Sequence, residues 1–309
     1  MKILCVTPNV AVDRTLAVPG FAAGAVWRAA SASAACGGKG VNAARAVRCL
    51  GHRAVCAGLI AGHGGRLAAT LADEEGLEAA WTRFDGETRT CVIVVGARGE
   101  ATVINEPGPA ITAADWRRLI ADAAEAVAAC DAACIAGSLP PGCPAGGLAA
   151  LVAAVGGGGR PVWVDTAGPA LAEAIAAGAM VKINALEAAA LLGREPATAI
   201  DAAAAAAEIR RRGAAAVSIT CGDEGAVLVE AAGTWRARPP RIRAVSAVGS
   251  GDSFLAGLVV GLAEGRGPGE ALRLAVAAGA ANALRTSAGI LDSDDLARML
   301  AATVAERGA

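Results

Sequence analysis

The sequence predicts an α/β fold in which helices cover both faces of a central, mostly parallel sheet, with a small antiparallel β flap added as a lid. Three observations predict it. Short apolar runs that end in a small or polar residue alternate with helix-forming stretches through the middle of the chain. Two other segments are β-rich and interrupted by Gly and Pro. The length of 309 residues allows one main core with an added lid, so we expect a single domain over 1–309.

The parallel sheet is predicted from regular alternation of strand and helix patterns. Strands are expected at 134–136, 162–164, 181–183 and 217–220, and helices at 145–155, 170–176, 186–192 and 199–212, with Gly213 as the stop of the last helix. Ligands of such sheets gather beyond the carboxyl ends of the strands. The polar residues that end these strands are therefore candidate site residues, although ordinary turns use the same residue types.

The flap is predicted at residues 10–18 and 90–104, where residues 96–99 have the composition of a hairpin turn. We expect insertions at about 10–35 and 88–107 to build it. A flap of this kind closes over a substrate and excludes water from the site. Its exposed strands also favour pairing between subunits.

Composition favours a soluble enzyme of small molecules. The net charge is −1, hydrophobic residues make up 55% and aromatic residues only 3%, which indicates an aliphatic, closely packed core. Scattered Lys and Arg residues form no broad basic face for nucleic acid and no polybasic patch for a membrane. No apolar stretch reaches the roughly 18–20 residues that cross a bilayer, and the amino terminus lacks the features of a signal peptide.

The cysteines and histidines narrow the chemistry further. Nine cysteines, an odd number without C-x-x-C spacing, indicate reduced thiols and a cytoplasmic protein. Cys36 and Cys91 are interpreted as small packing residues. With only two histidines, a histidine zinc site or a Ser-His-Asp triad is not expected. Any metal is therefore expected to be held by oxygen.

A glycine-rich turn meets a helix start at residues 248–253, Val-Gly-Ser-Gly-Asp-Ser, which an apolar stripe at helical spacing follows. The glycines let the backbone approach a bound group, and the unpaired N–H groups of the first turn suit a developing negative charge. Asp252 is placed to take a proton from an attacking hydroxyl. In the alternative interpretation, Ser250 or Asp252 merely caps the helix.

A second glycine segment, Gly-Gly-Lys-Gly-Val-Asn at residues 37–42, opens another helix that ends at Gly51. Its spacing differs from the Walker P-loop, since the lysine is followed by glycine and not by Ser or Thr. Neither glycine segment matches G-x-G-x-x-G, which weakens the case for a dinucleotide-binding dehydrogenase.

Together the two glycine segments resemble the two signatures of the PfkB family of carbohydrate kinases, which has the ribokinase-like three-layer fold. Further similarities follow in the family's order over nearly the whole chain: residues 9–13, Thr88-Arg89, Ile-Asn-Glu-Pro-Gly-Pro at 104–109, Gly-Ser-Leu-Pro-Pro-Gly at 137–142, Asp-Thr-Ala-Gly at 165–168, and Lys-Ile-Asn at 182–184 with Glu187. Residues 105–109 and 137–142 are most similar to the branch that contains 1-phosphofructokinase and tagatose-6-phosphate kinase. That branch phosphorylates sugars that already carry a phosphate.

The resemblance implies a role for each matching residue on the acceptor side. Asp252 would be the base that activates the sugar hydroxyl, and the anion hole would be lined by Gly249, Ser250 and Gly251. Contacts with sugar hydroxyls are implied for Asp13, Gly38 and Asn42. The existing phosphate would be held by Arg28, Lys39, Arg89 and Ser138, in agreement with the affinity of Arg and Lys for phosphate.

The resemblance also implies a nucleotide and metal side. Residues near the phosphates and ribose of ATP would be Lys182, Asn184, Thr220, Gly222 and Gly225, with Gly279 and Asn282 near the base. Asn184 and Glu187 match an N-x-x-E motif that influences magnesium binding, and oxygen ligands suit Mg²⁺. The same spacing equally supports an amino-terminal cap with a capping-box glutamate.

These observations predict an ATP- and magnesium-dependent kinase of a phosphorylated ketohexose, with fructose 1-phosphate giving fructose 1,6-bisphosphate as the first choice. Tagatose 6-phosphate or fructose 6-phosphate is the alternative within the branch. A kinase of an unphosphorylated sugar or nucleoside is a second alternative, which has less need of Lys39 and Arg89. A catalytically silent nucleotide-binding regulator is a third, and the presence of Asp252 counts against it.

Overall fold

The computed structural model describes residues 1–97, 100–194 and 199–308. The strands of these residues are β1 (Lys2–Thr7), β2 (Ala11–Ala17), β3 (Ser31–Gly37), β4 (Arg53–Ala61), β5 (Glu78–Phe84), β6 (Arg89–Val95), β7 (Ala101–Asn105), β8 (Ala132–Ala136), β9 (Val162–Asp165), β10 (Met180–Asn184), β11 (Ala216–Thr220), β12 (Ala226–Glu230), β13 (Gly233–Arg238) and β14 (Val304–Arg307). The helices are α1 (Lys39–Cys49), α2 (Gly62–Glu74), α3 (Ala113–Val127), α4 (Gly147–Val155), α5 (Pro169–Ala176), α6 (Ala185–Leu192), α7 (Ala199–Arg211), α8 (Ser250–Ala263), α9 (Pro268–Ala283) and α10 (Ser293–Ala302). The predicted strands of the middle of the chain are β8 to β11, and the predicted helices are α4 to α7.

The central sheet is mostly parallel, as predicted. In the described residues it has ten strands, in the order β14-β13-β12-β11-β10-β9-β8-β1-β4-β5. All pairings from β11 to β5 are parallel, whereas β12, β13 and β14 extend one edge by antiparallel pairing. The carboxyl ends of β1, β8, β9, β10 and β11 therefore lie side by side at one edge of the sheet.

Helices cover both faces of this sheet, which gives the expected three layers. Successive side chains of a strand point to opposite faces. Ile3 and Cys5 of β1 accordingly pack in one apolar core with α1, α2, α8, α9 and α10. Leu4 and Val6 pack in a second core with α3, α4, α5, α6 and α7. No helix among the described residues combines the length and the apolar character that a membrane span requires.

The flap is a separate four-stranded sheet with the order β3-β2-β6-β7. β2 pairs with β3, and β6 with β7, in antiparallel fashion, as predicted. The two hairpins meet through a parallel pairing of β2 with β6, because both strands leave the central sheet in the same direction. The predicted hairpin turn at 96–99 includes positions 98 and 99, which lie outside the described residues. On either side of these positions, the Gly96 amide donates a hydrogen bond of 2.9 Å to the Glu100 carbonyl.

Helix α8 is held against α9 by close backbone contact. A Cβ atom at Gly257 would lie 2.8 Å from the Cα atom of Ala275, and one at Gly261 would lie 2.8 Å from the Cα atom of Ala271. Only glycine permits this approach. The contact fixes the axis of α8, and with it the position of the glycine-rich turn at its amino terminus.

The cysteines are packing residues of the core. All nine thiols are free. Cys5 of β1 is aligned with Cys56 of β4 on one side and with Cys134 of β8 on the other, so three thiols form a buried row across the parallel sheet. A hydrogen bond to Cys134 and burial raise the pKa of the Cys5 thiol well above its usual value. Burial likewise raises the pKa of Cys36 to about 12.

Candidate active site

A large cleft lies at the carboxyl ends of the parallel strands. Its volume is about 1760 Å³, and its walls include the ends of β1, β8, β9, β10 and β11 together with the inner face of the flap. The sequence-predicted residues that line it are Asp13, Gly38, Lys39, Asn42, Arg89, Ser138, Lys182, Asn184, Thr220, Gly222, Gly225, Gly249, Ser250, Gly251, Asp252 and Gly279. The cleft is large enough for two substrates to bind side by side.

The two glycine segments form facing walls of this cleft. Asn42 lies in the first helical turns of α1, and Asp252 lies in the first turn of α8. The Asn42 Nδ2 atom donates a hydrogen bond of 2.8 Å to the Asp252 Oδ2 atom. Residues that are far apart in the sequence thus meet at one carboxylate.

The turn before α8 provides free amides beside that carboxylate. Gly249 adopts a φ of 81°, in the left-handed region that glycine favours. The first α-helical bond of the turn is the one that Ser253 N donates to Gly249 O at 2.9 Å, so the amides of Gly251 and Asp252 precede it. The capping alternative is not realised, because Ser250 Oγ and Asp252 Oδ2 accept hydrogen bonds from Asn282 and Asn42. This arrangement suits an anion.

Asp252 has the environment of a general base. Its side chain is buried at the bottom of the cleft. Burial and the charge of Asp165 raise its pKa to about 6, against the opposing effects of Lys39, the Asn42 hydrogen bond and Lys182. A carboxylate of this pKa is ionised at neutral pH and is a better proton acceptor than a solvated one.

Asp165 at the end of β9 joins two cations beneath the cleft. Lys39 Nζ donates to its Oδ1 atom at 2.7 Å, and Lys182 Nζ donates to its Oδ2 atom at 2.6 Å. Asp165 and Lys182 are buried, while 40% of the Lys39 side chain is exposed to the cleft. Burial opposes ionisation of Asp165, but Lys182 and then Lys39 lower its pKa. Asp165 is one of the polar strand-end residues that the sequence pattern predicted as candidate site residues, although the sequence assigned it no individual role.

The acceptor side of the cleft lies at the base of the flap. Arg89 donates to the Asn9 carbonyl at 3.0 and 3.2 Å and to the Glu106 carbonyl at 3.0 Å. The Asn9 side chain in turn donates to Ser138 Oγ at 3.1 Å. Asp13 is half-buried nearby; burial raises its pKa, against the nearby positive charges of Arg45 and Arg89.

Two buried hydroxyls of the cleft have no hydrogen-bond partner in the part of the chain that the structure describes. They are Oγ1 of Thr7, at the end of β1, and Oγ1 of Thr166, just after β9. An unsatisfied buried hydroxyl is unfavourable, so groups of this kind favour a polar ligand beside them. Both threonines were missed by sequence reasoning.

Arg28 is placed outside the cleft, contrary to the expectation that it lies near the substrate phosphate. It is exposed in the loop that joins β2 to β3. The register pairs Ala11 with Gly37 at the cleft end of this hairpin and Ala17 with Ser31 at the other end. The loop therefore lies at the tip of the flap, away from the glycine segment.

The nucleotide side contains one further difference from expectation. Asn282 is completely buried, and its amide bonds to the protein itself. Its Nδ2 atom donates to the Val248 carbonyl at 2.8 Å, and its Oδ1 atom accepts from Gly289 N at 2.7 Å. The expected contact of this side chain with a base is replaced by a contact that holds the turn before α8.

Asn184 and Glu187 form the capping box of α6. Asn184 Oδ1 accepts from Glu187 N at 2.9 Å, and Glu187 Oε2 accepts from Asn184 N at 2.8 Å. The capping alternative is therefore realised, and Glu187 also lies 3.9 Å from Lys39. Within the described ranges, no cluster of three or more His, Cys, Asp or Glu side chains could hold a metal by itself.

Comparisons with known proteins agree with this geometry. Residues 1–295 match the family described as "pfkB family carbohydrate kinase". The chain is 38% identical over 280 residues to the 1-phosphofructokinase of Rhodobacter capsulatus, covering 90% of this chain and 89% of that protein. It is 31% identical over 301 residues to the 1-phosphofructokinase of Escherichia coli K12, covering 97% and 96%.

Solved structures show the same architecture. Phosphofructokinase-2 from Escherichia coli in complex with potassium superposes with a TM-score of 0.88 and 31% identity, covering 97% of this chain and 98% of that one. The complex of the same enzyme with fructose-6-phosphate superposes with a TM-score of 0.86 and 30% identity, with the same coverage.

Proposed function

Because this chain belongs to the pfkB family of carbohydrate kinases, we propose that it transfers the γ-phosphoryl group of ATP to the free primary hydroxyl of fructose 1-phosphate, giving fructose 1,6-bisphosphate. The family makes it a phosphotransferase with an alcohol as acceptor and ATP as a substrate. The choice of sugar phosphate is supported by the relatives named 1-phosphofructokinase.

The observation that carries the proposal is the buried carboxylate of Asp252 beside free helix amides and two lysines. Asp252 takes the proton of the sugar hydroxyl as the hydroxyl oxygen attacks the γ-phosphorus. The bond between phosphorus and the β–γ bridging oxygen breaks, and ADP leaves. The amides of Gly251 and Asp252 face the charge that develops on the phosphoryl oxygens, while Lys182 balances it. The proton passes from Asp252 to solvent.

Recognition of the existing phosphate is proposed for Lys39, Arg89 and Ser138. Lys39 supplies an ammonium that is partly exposed to the cleft. Arg89 uses its hydrogen bonds to carbonyls of Asn9 and Glu106 to hold its guanidinium in place. Such fixed cations favour a phosphorylated acceptor over a neutral sugar or a nucleoside.

Mg²⁺ is proposed as the metal of the reaction. The oxygens of Asn184 and Glu187 would hold it largely through water, which fits a cation that keeps several waters and is shared with substrate phosphates. When bound, Mg²⁺ neutralises charge on the transferred phosphoryl group. Within the protein, the capping box keeps the Asn184 side chain at the edge of the cleft.

A homodimer through the flap is proposed as the assembly. Val103 and Ile104 of β7 are exposed, as are Phe21, Val26 and Trp27 in the loop at the flap tip. Burial of these side chains against a second copy removes apolar surface from water. Sedimentation or size-exclusion measurement at micromolar concentration tests the assembly, and Ile104→Asp is expected to yield monomers.

Fructose 6-phosphate is the second candidate acceptor, since a solved relative of 30% identity is described in complex with fructose-6-phosphate. The test is ADP release with ATP, Mg²⁺ and a panel of fructose 1-phosphate, fructose 6-phosphate, tagatose 6-phosphate and fructose. The proposal expects the highest kcat/KM with fructose 1-phosphate. A higher kcat/KM with another sugar phosphate would reassign the substrate, and no ADP release with any acceptor would favour a regulator.

A further inference from the structure

Arg45 is a buried cation that the transfer chemistry does not use. It lies on α1, and only 7% of the residue is exposed. Its Nε and Nη2 atoms donate to the two carboxylate oxygens of Glu75 at 2.5 and 2.7 Å. Nη2 also donates to the Cys36 carbonyl at 2.6 Å, and Nη1 donates to Asn42 Oδ1 at 2.8 Å. The guanidinium is therefore fixed from three sides.

Asn42 lies between this guanidinium and the carboxylate of Asp252. A guanidinium only donates hydrogen bonds, and an ionised carboxylate only accepts them. The amide of Asn42 satisfies both neighbours in one orientation, with Oδ1 towards Arg45 and Nδ2 towards Asp252. In the opposite orientation, N–H groups would face N–H groups and oxygen would face oxygen.

We propose that Arg45 is a positioning residue that sets the orientation of the Asn42 amide and thereby keeps an N–H group directed at the Asp252 carboxylate. The inference rests on the proposed function, in which Asp252 is the base. Arg45 follows Asn42 by three positions on α1, so their side chains share one face of the helix. The Glu75 fork prevents the guanidinium from turning away.

Loss of Arg45 has a definite electrostatic consequence. The charged groups that face Asp252 are Asp165, Lys39 and Lys182, and the polar group is Asn42. Without Arg45, the Asn42 amide is free to turn, and the hydrogen bond that favours the ionised form of Asp252 is lost for part of the time. The pKa of Asp252 then rises, so less of the base is ionised at a given pH.

The test compares the pH dependence of kcat/KM for the parent, Arg45→Met and Arg48→Met. Arg48 is a matched control, since it lies on the same helix, is exposed, and donates to the Glu75 carbonyl at 2.6 Å. Arg45→Met is expected to move the acidic limb upward by about one pH unit, the size of one hydrogen bond to a charged group. Arg48→Met is expected to keep the parent profile. An unshifted limb in folded Arg45→Met overturns the proposal.

Two further variants separate positioning from general support of the fold. A lysine ammonium also donates hydrogen bonds without accepting them. Arg45→Lys is therefore expected to keep the acidic limb of kcat/KM at the parent's pH, even if its thermal stability is lower than the parent's. In an Asn42→Ala background, Arg45→Met is expected to cause no further shift, because the amide it positions is absent. An equal shift in that background overturns the proposal.

Failure of the inference is distinguishable from failure of the proposed function. A parent protein without kinase activity contradicts the proposed function. An active parent whose acidic limb of kcat/KM does not shift when Arg45 is replaced contradicts only the inference. If Arg45→Met does not fold, Arg45→Gln replaces it. A glutamine at this position also accepts hydrogen bonds, so it leaves the Asn42 amide free to turn and is expected to shift the limb in the same direction.

Discussion

The carboxylate of Asp165 lies 2.6 Å from the ammonium group of Lys182, and both residues are buried beneath the cleft. The other oxygen of the same carboxylate lies 2.7 Å from Lys39. Two cations that line the cleft are thus fixed by one anion. A buried pair of this kind is sensitive to removal of either partner, because the remaining charge is left uncompensated.

Asp165→Asn is expected to destabilise the protein by about 3–5 kcal/mol at pH 7, measured by urea unfolding. Although burial opposes ionisation, Lys182 and Lys39 lower the pKa of Asp165. Its stabilising contribution is therefore present above the usual carboxyl pKa of 3.8 and is lost as the pH falls through the lowered folded value. Glu78→Gln, which removes an exposed pair with Lys2, is the control and should change stability by less than about 1 kcal/mol. Equal effects of the two changes would contradict the importance given to Asp165.

Asp252→Asn is expected to lower kcat by roughly 10²–10⁴-fold, since the amide cannot accept the hydroxyl proton. The KM values for ATP and the sugar phosphate should change little, because the cations of the cleft remain. Coupled ADP release measures both parameters. Asp294→Asn, an exposed change in α10, serves as the control. Near-normal turnover of Asp252→Asn would remove the base from the mechanism.

The pH dependence of the parent enzyme follows from the same carboxylate. Burial and Asp165 raise the pKa of Asp252 to about 6, and only the ionised form accepts a proton. We expect kcat/KM to fall tenfold per pH unit below about pH 6. A profile that stays flat down to pH 4.5 would contradict this assignment. Residual turnover of Asp252→Asn should lack the limb.

Stability at neutral pH should increase in Asp252→Asn. The folded pKa of Asp252 is raised above 3.8, so its protonated form is favoured by folding. The contribution is complete below the unfolded pKa and is lost as the pH rises through about 6. The variant should gain up to about 3 kcal/mol over the parent at pH 8, and the gain should shrink towards pH 4. Denaturant unfolding at both pH values measures the difference, and a constant difference would be inconsistent with the raised pKa.

Gly249→Ala is expected to reduce turnover by roughly 100-fold, because a displaced turn misplaces the anion-facing amides. Its φ is 81°, and the new Cβ would lie 2.6 Å from the Cα atom of Ala288. Gly265, at the other end of α8, provides the control, with a φ of 77° and no heavy atom within 4 Å of an added Cβ. Gly265→Ala should lose about 1 kcal/mol of stability and keep full kcat. Similar kinetics for the two variants would show that the turn tolerates displacement.

The sequence was sufficient for the four parallel strands β8 to β11 and for the helices between them, because each apolar run is short and ends in a residue that breaks it. Gly213, with a φ of 127°, follows α7 as predicted. The antiparallel edge from β12 to β14 was not predicted. β14 lies near residue 305, about 70 positions after β13, so no short stretch of sequence indicates that the two strands pair.

The candidate site also contains some features that the sequence could predict and others that it could not. The glycine turns could be recognised locally, since each combines a backbone requirement with a helix start. The Asp165 pairs join residues 126 and 17 positions apart, and the Arg45 fork reaches 30 positions to Glu75, so only the folded chain brings them together. Arg28 was predicted near the substrate phosphate but lies in the loop at the flap tip, because the sequence does not reveal at which end of the hairpin a residue lies.

The row of thiols formed by Cys134, Cys5 and Cys56 has a practical consequence for handling the protein. While folded, these buried thiols react slowly with oxidants, and the pKa values of Cys5 and Cys56 are raised above that of a free thiol. Denaturation exposes all nine thiols, and oxygen of the air then oxidises pairs of them to disulfides, which oppose refolding. Without a reductant, survival in air is therefore governed by how fast the native state opens and not by its equilibrium stability.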